Sequence, residues 1–80
     1  MFRQHHYLKT ETEYFQSVEK GIKKFELRKN DRNFKICDVL HLEETVNGVK
    51  TGRVIQSLEI KYILYGGVYG LDKDYCILNW

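Results

Sequence analysis

Eighty residues make one domain, and a chain this short buries only about 60% of the surface its unfolded form exposes, which excludes a large core. A hydrophobic share of 42%, with 14% aromatic residues spread along the whole chain, excludes disorder. A net charge of +2 excludes a protein whose overall charge alone selects its partners.

The first predicted element is a short strand, His6–Lys9. Thr10 then opens a helix, with Glu13 three residues on completing a capping box in which each side chain satisfies the other residue's free backbone N–H. Tyr14, Phe15 and Val18 fall on one helical face, and Gly21 closes the helix. From Lys24 the period changes to two: Phe25 and Leu27 are assigned to the core, while Lys24, Glu26 and Arg28 share the other face. Asn30-Asp31 is a turn signal, followed by a loop through Asn33, and Phe34 is a further core residue.

Asp38–Glu44 reads as the next strand, with Leu40 and Leu42 on one face and His41 and Glu43 on the other. Asn47-Gly48 is a hairpin signal, because both residue types tolerate the positive φ of a type I′ turn. The return strand spans about Gly52 to Leu64 and places Val54, Leu58, Ile60, Tyr62 and Leu64 on one face, with a bulge expected near Gln56 where the apolar row breaks. Gly66–Gly70 is a glycine-rich loop. Tyr75–Trp80 is apolar on both faces and therefore expected to be a central strand. Strand, helix and four further strands predict an α+β fold, a small curled and mostly antiparallel barrel with the one helix at its end.

Cys37 and Cys76 both read as small buried hydrophobes in or beside strands, and a secreted domain of this size would carry more cysteines in paired spacing. MFRQHHYLKT has no apolar region of the kind a secretory signal needs, and Ile60–Tyr65 contains Lys61 and is too short to cross a bilayer. The expectation is a cytoplasmic protein with no membrane partner.

Charge is concentrated in one segment. Between Lys20 and Lys35, the cations Lys20, Lys23, Lys24, Arg28, Lys29, Arg32 and Lys35 face only Glu26 and Asp31, an electrostatic footprint for an anion. Gly21-x-Lys23-x-x-Glu26-x-Arg28, set between a helix and a strand, resembles the signature of ASCH domains, relatives of the PUA RNA-binding barrel. The chain is similar throughout to a small bacterial and phage subfamily. The motifs that carry this are His6-Tyr7-Leu8-Lys9, Glu13–Gly21, Lys24–Phe34, Gly66–Leu71 and Tyr75–Leu78. Cys37 departs from the pattern, standing where the subfamily usually has glycine. The resemblance implies a PUA-like barrel with a cleft lined by the Glu-x-Arg strand, and RNA or a modified nucleoside or nucleotide as its ligand.

On this reading the anion-binding residues are Lys23, Lys24, Glu26, Arg28, Lys29 and Arg32, with Tyr69 at the cleft mouth as a stacking ring. Asn30 and Asp31 are turn residues. Some ASCH proteins that this chain resembles remove the acetyl group of N4-acetylcytidine with a Lys, a Thr and a distant Glu. Lys23 matches the Lys position, but Glu26 holds the Thr position, and a carboxylate cannot replace a hydroxyl nucleophile without a change of mechanism. Binding rather than catalysis is therefore the expectation, with that amidohydrolase activity and a protein-interaction module of phage or mobile-element origin as alternatives. His5, His6 and His41 with Cys37 and Cys76 show no zinc-ligand spacing, and Cys37 and His41, four apart on a strand, lie about 13 Å from one another. Neither a metal, another cofactor nor a catalytic residue is expected.

Overall fold

The computed structural model describes residues 3–80. In chain order the elements are β1 (His5–Glu11), α1 (Thr12–Glu19), β2 (Phe25–Lys29), β3 (Val39–Val46), β4 (Val49–Glu59), β5 (Tyr62–Tyr65) and β6 (Tyr75–Asn79). They build two three-stranded sheets, ordered β1-β3-β4 and β2-β6-β5. The class is α+β as expected, but the sheets are not closed into a barrel. β1 runs parallel to β3, and the other three pairings are antiparallel. The helix packs on β1 and β3. The core contains Leu8, Phe15, Val18, Phe34, Leu40, Leu42, Ile60, Ile63, Cys76 and Leu78. No helix among the described residues is long and apolar enough to cross a membrane.

Several local signals hold. Asn47 and Gly48 adopt φ of 49° and 82°, as a type I′ hairpin requires. The bulge falls at Gln56-Ser57: Leu40 pairs with Leu58 and Leu42 with Ile55, which leaves one extra residue on β4, and Ser57 takes φ 65°. β6 is the central strand of its sheet. The chain after Glu19 turns where Gly21 takes φ 75°.

Other expectations are corrected. The helix begins at Thr12, not Thr10, and the Thr10–Glu13 capping box does not form. β1 continues to Glu11 because its ladder with β3 runs to the Glu11–Thr45 pair. The Glu11 carboxylate also accepts from Thr45 Oγ1, Asn47 N (2.9 Å) and Gly48 N (3.1 Å), which holds its pKa below the usual carboxylate value. A tertiary ladder with three such bonds outweighs a cap worth about 1 kcal/mol. Tyr14 is exposed while Phe15 and Val18 are buried. The long return strand is two strands, which change sheet at Ile60-Lys61; beyond that corner Ile63 faces the core and Tyr62 faces out.

Cys37 is exposed and not a core residue. It sits at φ 77°, a left-handed conformation that suits glycine, with its N–H on Ile60 O (2.8 Å) and its carbonyl on Arg3 Nε (2.8 Å). Cys37→Gly is expected to stabilise the fold by about 0.5–1 kcal/mol, because removing the Cβ relieves more strain than the extra backbone freedom costs. A urea midpoint that stays unchanged or falls would contradict this.

The histidines serve the sheet. The His5 and His41 rings are nearly coplanar, 14° apart with centroids 5.1 Å apart. With His5 Nδ1 to His41 Nε2 at 2.8 Å, that is the geometry of an in-plane hydrogen bond and not of a stack. Ser57 N–H donates to His41 Nδ1 (3.4 Å), so the neutral His41 carries its proton on Nε2 and donates it to His5. Burial, and secondarily the neighbouring His5, lowers the His41 pKa. The unfolded chain therefore takes up a proton near pH 6.5 that folded His41 resists. Stability should be full above that pH and decline as pH falls below it, through the lowered pKa of folded His41. His41→Phe should flatten the decline in a series of urea titrations, and an equal slope in the variant would refute the assignment.

Candidate functional site: the cleft between β1 and β2

β1 and β2 form the free edges of their sheets and face one another with no backbone ladder between them. Val39 N–H donates to Gln4 O (2.9 Å), so the even-numbered residues of β1 serve β3 and the odd-numbered ones point toward β2. Trp80 N–H donates to Lys24 O (3.2 Å) and Asn30 N–H to Asp74 O (2.8 Å), so the even-numbered residues of β2 serve β6. Side chains close the gap instead. Arg28 Nη2 donates to Lys9 O (2.6 Å) and Arg32 Nη1 to Tyr7 O (2.9 Å), two carbonyls that the edge of β1 leaves unpaired.

The orientation of β2 is the reverse of the sequence expectation. Glu26 is 5% exposed, while Phe25 and Leu27, expected in the core, are 45% and 52% exposed. Lys23 Nζ forms an ion pair with Glu26 Oε1, and Arg28 meets Glu26 Oε2 through Nε (3.2 Å) and Nη2 (3.1 Å). Arg28 Nη2 also lies 3.2 Å from Thr10 Oγ1. A buried carboxylate requires such partners, since an unpaired one costs several kcal/mol. Because strand side chains alternate, turning Glu26 inward turns Phe25 and Leu27 outward.

Above this polar floor opens a cleft of about 510 Å³, lined by Lys9, Thr10, Glu11, Tyr14, Lys23, Phe25, Glu26, Leu27 and Arg28. The Lys23 ammonium lies 5.0 Å from the Phe25 ring centroid and 5.6 Å from that of Tyr14, so two half-exposed aromatic rings flank a cation already bonded to a carboxylate.

Of the residues named from sequence, Lys23, Glu26 and Arg28 meet in this cleft. Lys24 lines a second cleft with Val18, Lys61 and Trp80. Lys29 is exposed on β2, and Arg32 holds the Tyr7 carbonyl. Tyr69, 95% exposed in the glycine-rich loop, does not line the cleft. Sequence reasoning missed Lys9, Thr10, Tyr14, Phe25 and Leu27; the one available signal was that His-x-Leu-Lys and the Glu-x-Arg segment recur together in the pattern the chain resembles.

The arrangement is equipped for recognition. It offers a carboxylate and cations to hydrogen-bonding groups, and flat apolar walls to a ring. The nearby hydroxyl, Thr10 Oγ1, receives Arg28 and donates to Leu8 O (3.5 Å), and the cleft lining contains no histidine or thiol. Elsewhere His6 Nε2 meets Asp38 Oδ2 at 2.9 Å, a buried pair. Burial raises the Asp38 pKa, but the His6 bond and the Lys35 and Gln4 N–H groups outweigh it and leave the pKa lowered. Among the described residues no group of three or more His, Cys, Asp or Glu side chains could hold a metal ion.

The chain belongs to the family described as Domain of unknown function (DUF3850), whose model matches residues 5–80. It is also similar to a protein of Escherichia phage P2 described as an uncharacterized 12.9 kDa protein in the GpA 3′ region. The two are 44% identical over 52 residues, which is 65% of this chain and 48% of the phage protein, so the match spans about half the length of that relative.

Removing the carboxylate leaves Lys23 and Arg28 facing one another in a partly buried site. Glu26→Ala is expected to destabilise the domain by about 3 kcal/mol, the scale of a buried ion pair that loses one partner. Urea denaturation of the variant checks this, and a loss under about 1 kcal/mol would mean that the pair does not hold β2 in place.

Proposed function

We propose that this DUF3850 chain binds single-stranded RNA or a nucleotide-like anion, with one base seated in the β1–β2 cleft, as a PUA-like domain of ASCH type. The observation that carries the reading is the reversed face of β2. Exposing Phe25 and Leu27 while burying a charge violates the local pattern, and such violations concentrate where a protein has a site to maintain. Phe25 and Tyr14 supply faces on which a base can lie, and the Lys23–Glu26–Arg28 floor offers donors and acceptors to its polar edge.

On this reading the cations divide the labour. Arg28 and Arg32 are engaged by main-chain carbonyls, so their first task is to hold β1 against β2. Phosphate contact falls to exposed lysines: Lys9 in the cleft lining, Lys29 on β2 beyond it, and Lys24 at the second cleft beside Phe25. Base stacking supplies affinity that tolerates sequence, and the floor supplies whatever base preference there is.

Titration with mixed single-stranded RNA and DNA oligonucleotides at two salt concentrations tests this. Affinity should fall steeply as salt rises, with a log–log slope of about −0.7 per phosphate contact on a single strand. Phe25→Ala should weaken binding by about 1–3 kcal/mol, the worth of one stacked base, with little effect on stability because the ring is already half exposed. Absence of binding to any oligonucleotide at low salt would defeat the proposal.

A further inference from the structure

The same reversal of β2 exposes more than a cleft wall. On the second sheet the inward residues Glu26, Ile63, Cys76 and Leu78 are buried. The strand register arranges their neighbours in rows on the outer face: Phe25–Asn79–Tyr62, then Leu27–Ile77–Leu64, then Lys29–Tyr75. Phe25, Leu27, Tyr62 and Tyr75 are 45%, 52%, 56% and 40% exposed. The helix packs on β1 and β3, and so leaves this face uncovered.

Area and charge select the occupant. Four large side chains about half exposed, at roughly 150–250 Å² for a full aromatic, amount to roughly 300–400 Å². That is the size of a functional surface patch, and well under the roughly 800 Å² per partner that a stable protein interface buries. The rows carry one charge, Lys29, and no carboxylate; Lys24 and Lys61 precede Phe25 and Tyr62 but alternate to the opposite side, where they line the second cleft with Val18 and Trp80. A narrow, anionic, ring-bearing ligand fits these terms. The face is also continuous with the cleft, because Phe25 and Leu27 belong to both. At ordinary strand spacing Tyr62 lies about 10 Å from Phe25 across the sheet, and the Tyr75 row about 13 Å along it.

We propose that this face is a stacking platform extending the cleft, so that the ligand is a single nucleic-acid strand of several nucleotides. The inference rests on the cleft reading above and deepens it. A base in the cleft continues over Leu27 and Ile77 to neighbours stacked on Tyr75 and Tyr62, with phosphates toward Lys9 at the cleft and Lys29 on the face.

Binding of uridine monophosphate and of oligouridylates of two, four and eight nucleotides, measured by calorimetry, tests it in three proteins: the unaltered chain, Tyr62→Ala/Tyr75→Ala, and Tyr62→Phe/Tyr75→Phe. Affinity should rise with length in the unaltered chain. The alanine pair should lose at least about tenfold on the octamer, and the phenylalanine pair, which keeps both rings, should retain it. Thermal melts of all three proteins guard against unfolding as the cause. If the octamer binds no more tightly than the monophosphate, or if the alanine pair binds the octamer undiminished, the platform is overturned while the cleft reading stands. If neither monophosphate nor oligomer binds, both fail. A concentration-dependent dimer in sedimentation, abolished by the alanine pair, would instead make the face a contact between copies and overturn the platform.

Discussion

Placing the Glu26 carboxylate inside the domain, under Lys23 and Arg28, has effects well beyond one ion pair. A strand has two faces and side chains alternate between them, so the residue that is buried decides the fate of all its neighbours. With Glu26 in, Arg28 is carried inward to the edge of β1, where it reaches the Lys9 carbonyl and the Thr10 hydroxyl. Phe25 and Leu27 are carried out, where they become cleft wall and sheet surface. The floor of the cleft, its Phe25 wall, the link between the sheets and the apolar outer face all descend from this one choice.

The link between the sheets is the second consequence. A closed barrel joins its first and last edges by main-chain hydrogen bonds, which fixes the spacing of those edges at about 4.8 Å. Here β1 and β2 meet through guanidinium groups, which span a wider gap and satisfy edge carbonyls that would otherwise need water or a foreign strand. The wider gap is the cleft. Lys23, Arg28 and Arg32, read from sequence as a charged surface, thus include two groups that hold the molecule together. The difference arises because strand-edge carbonyls do not register in any count of side-chain charge.

Much of the fold was legible because its signals are local. The hairpin at Asn47-Gly48 depends on two residues that accept positive φ, the bulge at Gln56-Ser57 on a break in an apolar row, and the central place of β6 on apolar residues on both of its faces. What was not legible depended on partners far away in sequence. Thr10 and Glu13 have the residue types of a cap, yet the ladder to Thr45 continues the strand through Thr10 to Glu11, and the helix starts only at Thr12. Lys24-Phe25-Glu26-Leu27-Arg28 alternates so cleanly that apolar-inward is the natural reading, and it fails because Lys23, Lys9 and Thr10 supply what a buried Glu and Arg require. Of the cleft, the charged floor could be read from the motif. The walls could not, since clean alternation assigns Phe25 and Leu27 to the core.

The parallel pairing of β1 with β3 has a kinetic side. His5 pairs with Val39 and Glu11 with Thr45, so each contact closes a loop of 34 residues, and β2 meets β6 across still longer stretches. Loop closure of that kind is entropically costly before any reward arrives. The β3–β4 hairpin, joined by two residues, carries the smallest such cost. Its turn also presents the Asn47 and Gly48 N–H groups that the Glu11 carboxylate occupies in the finished sheet. The middle of the chain can thus be ordered before its beginning, with one acidic side chain at the end of β1 marking the register in which the late strand must dock.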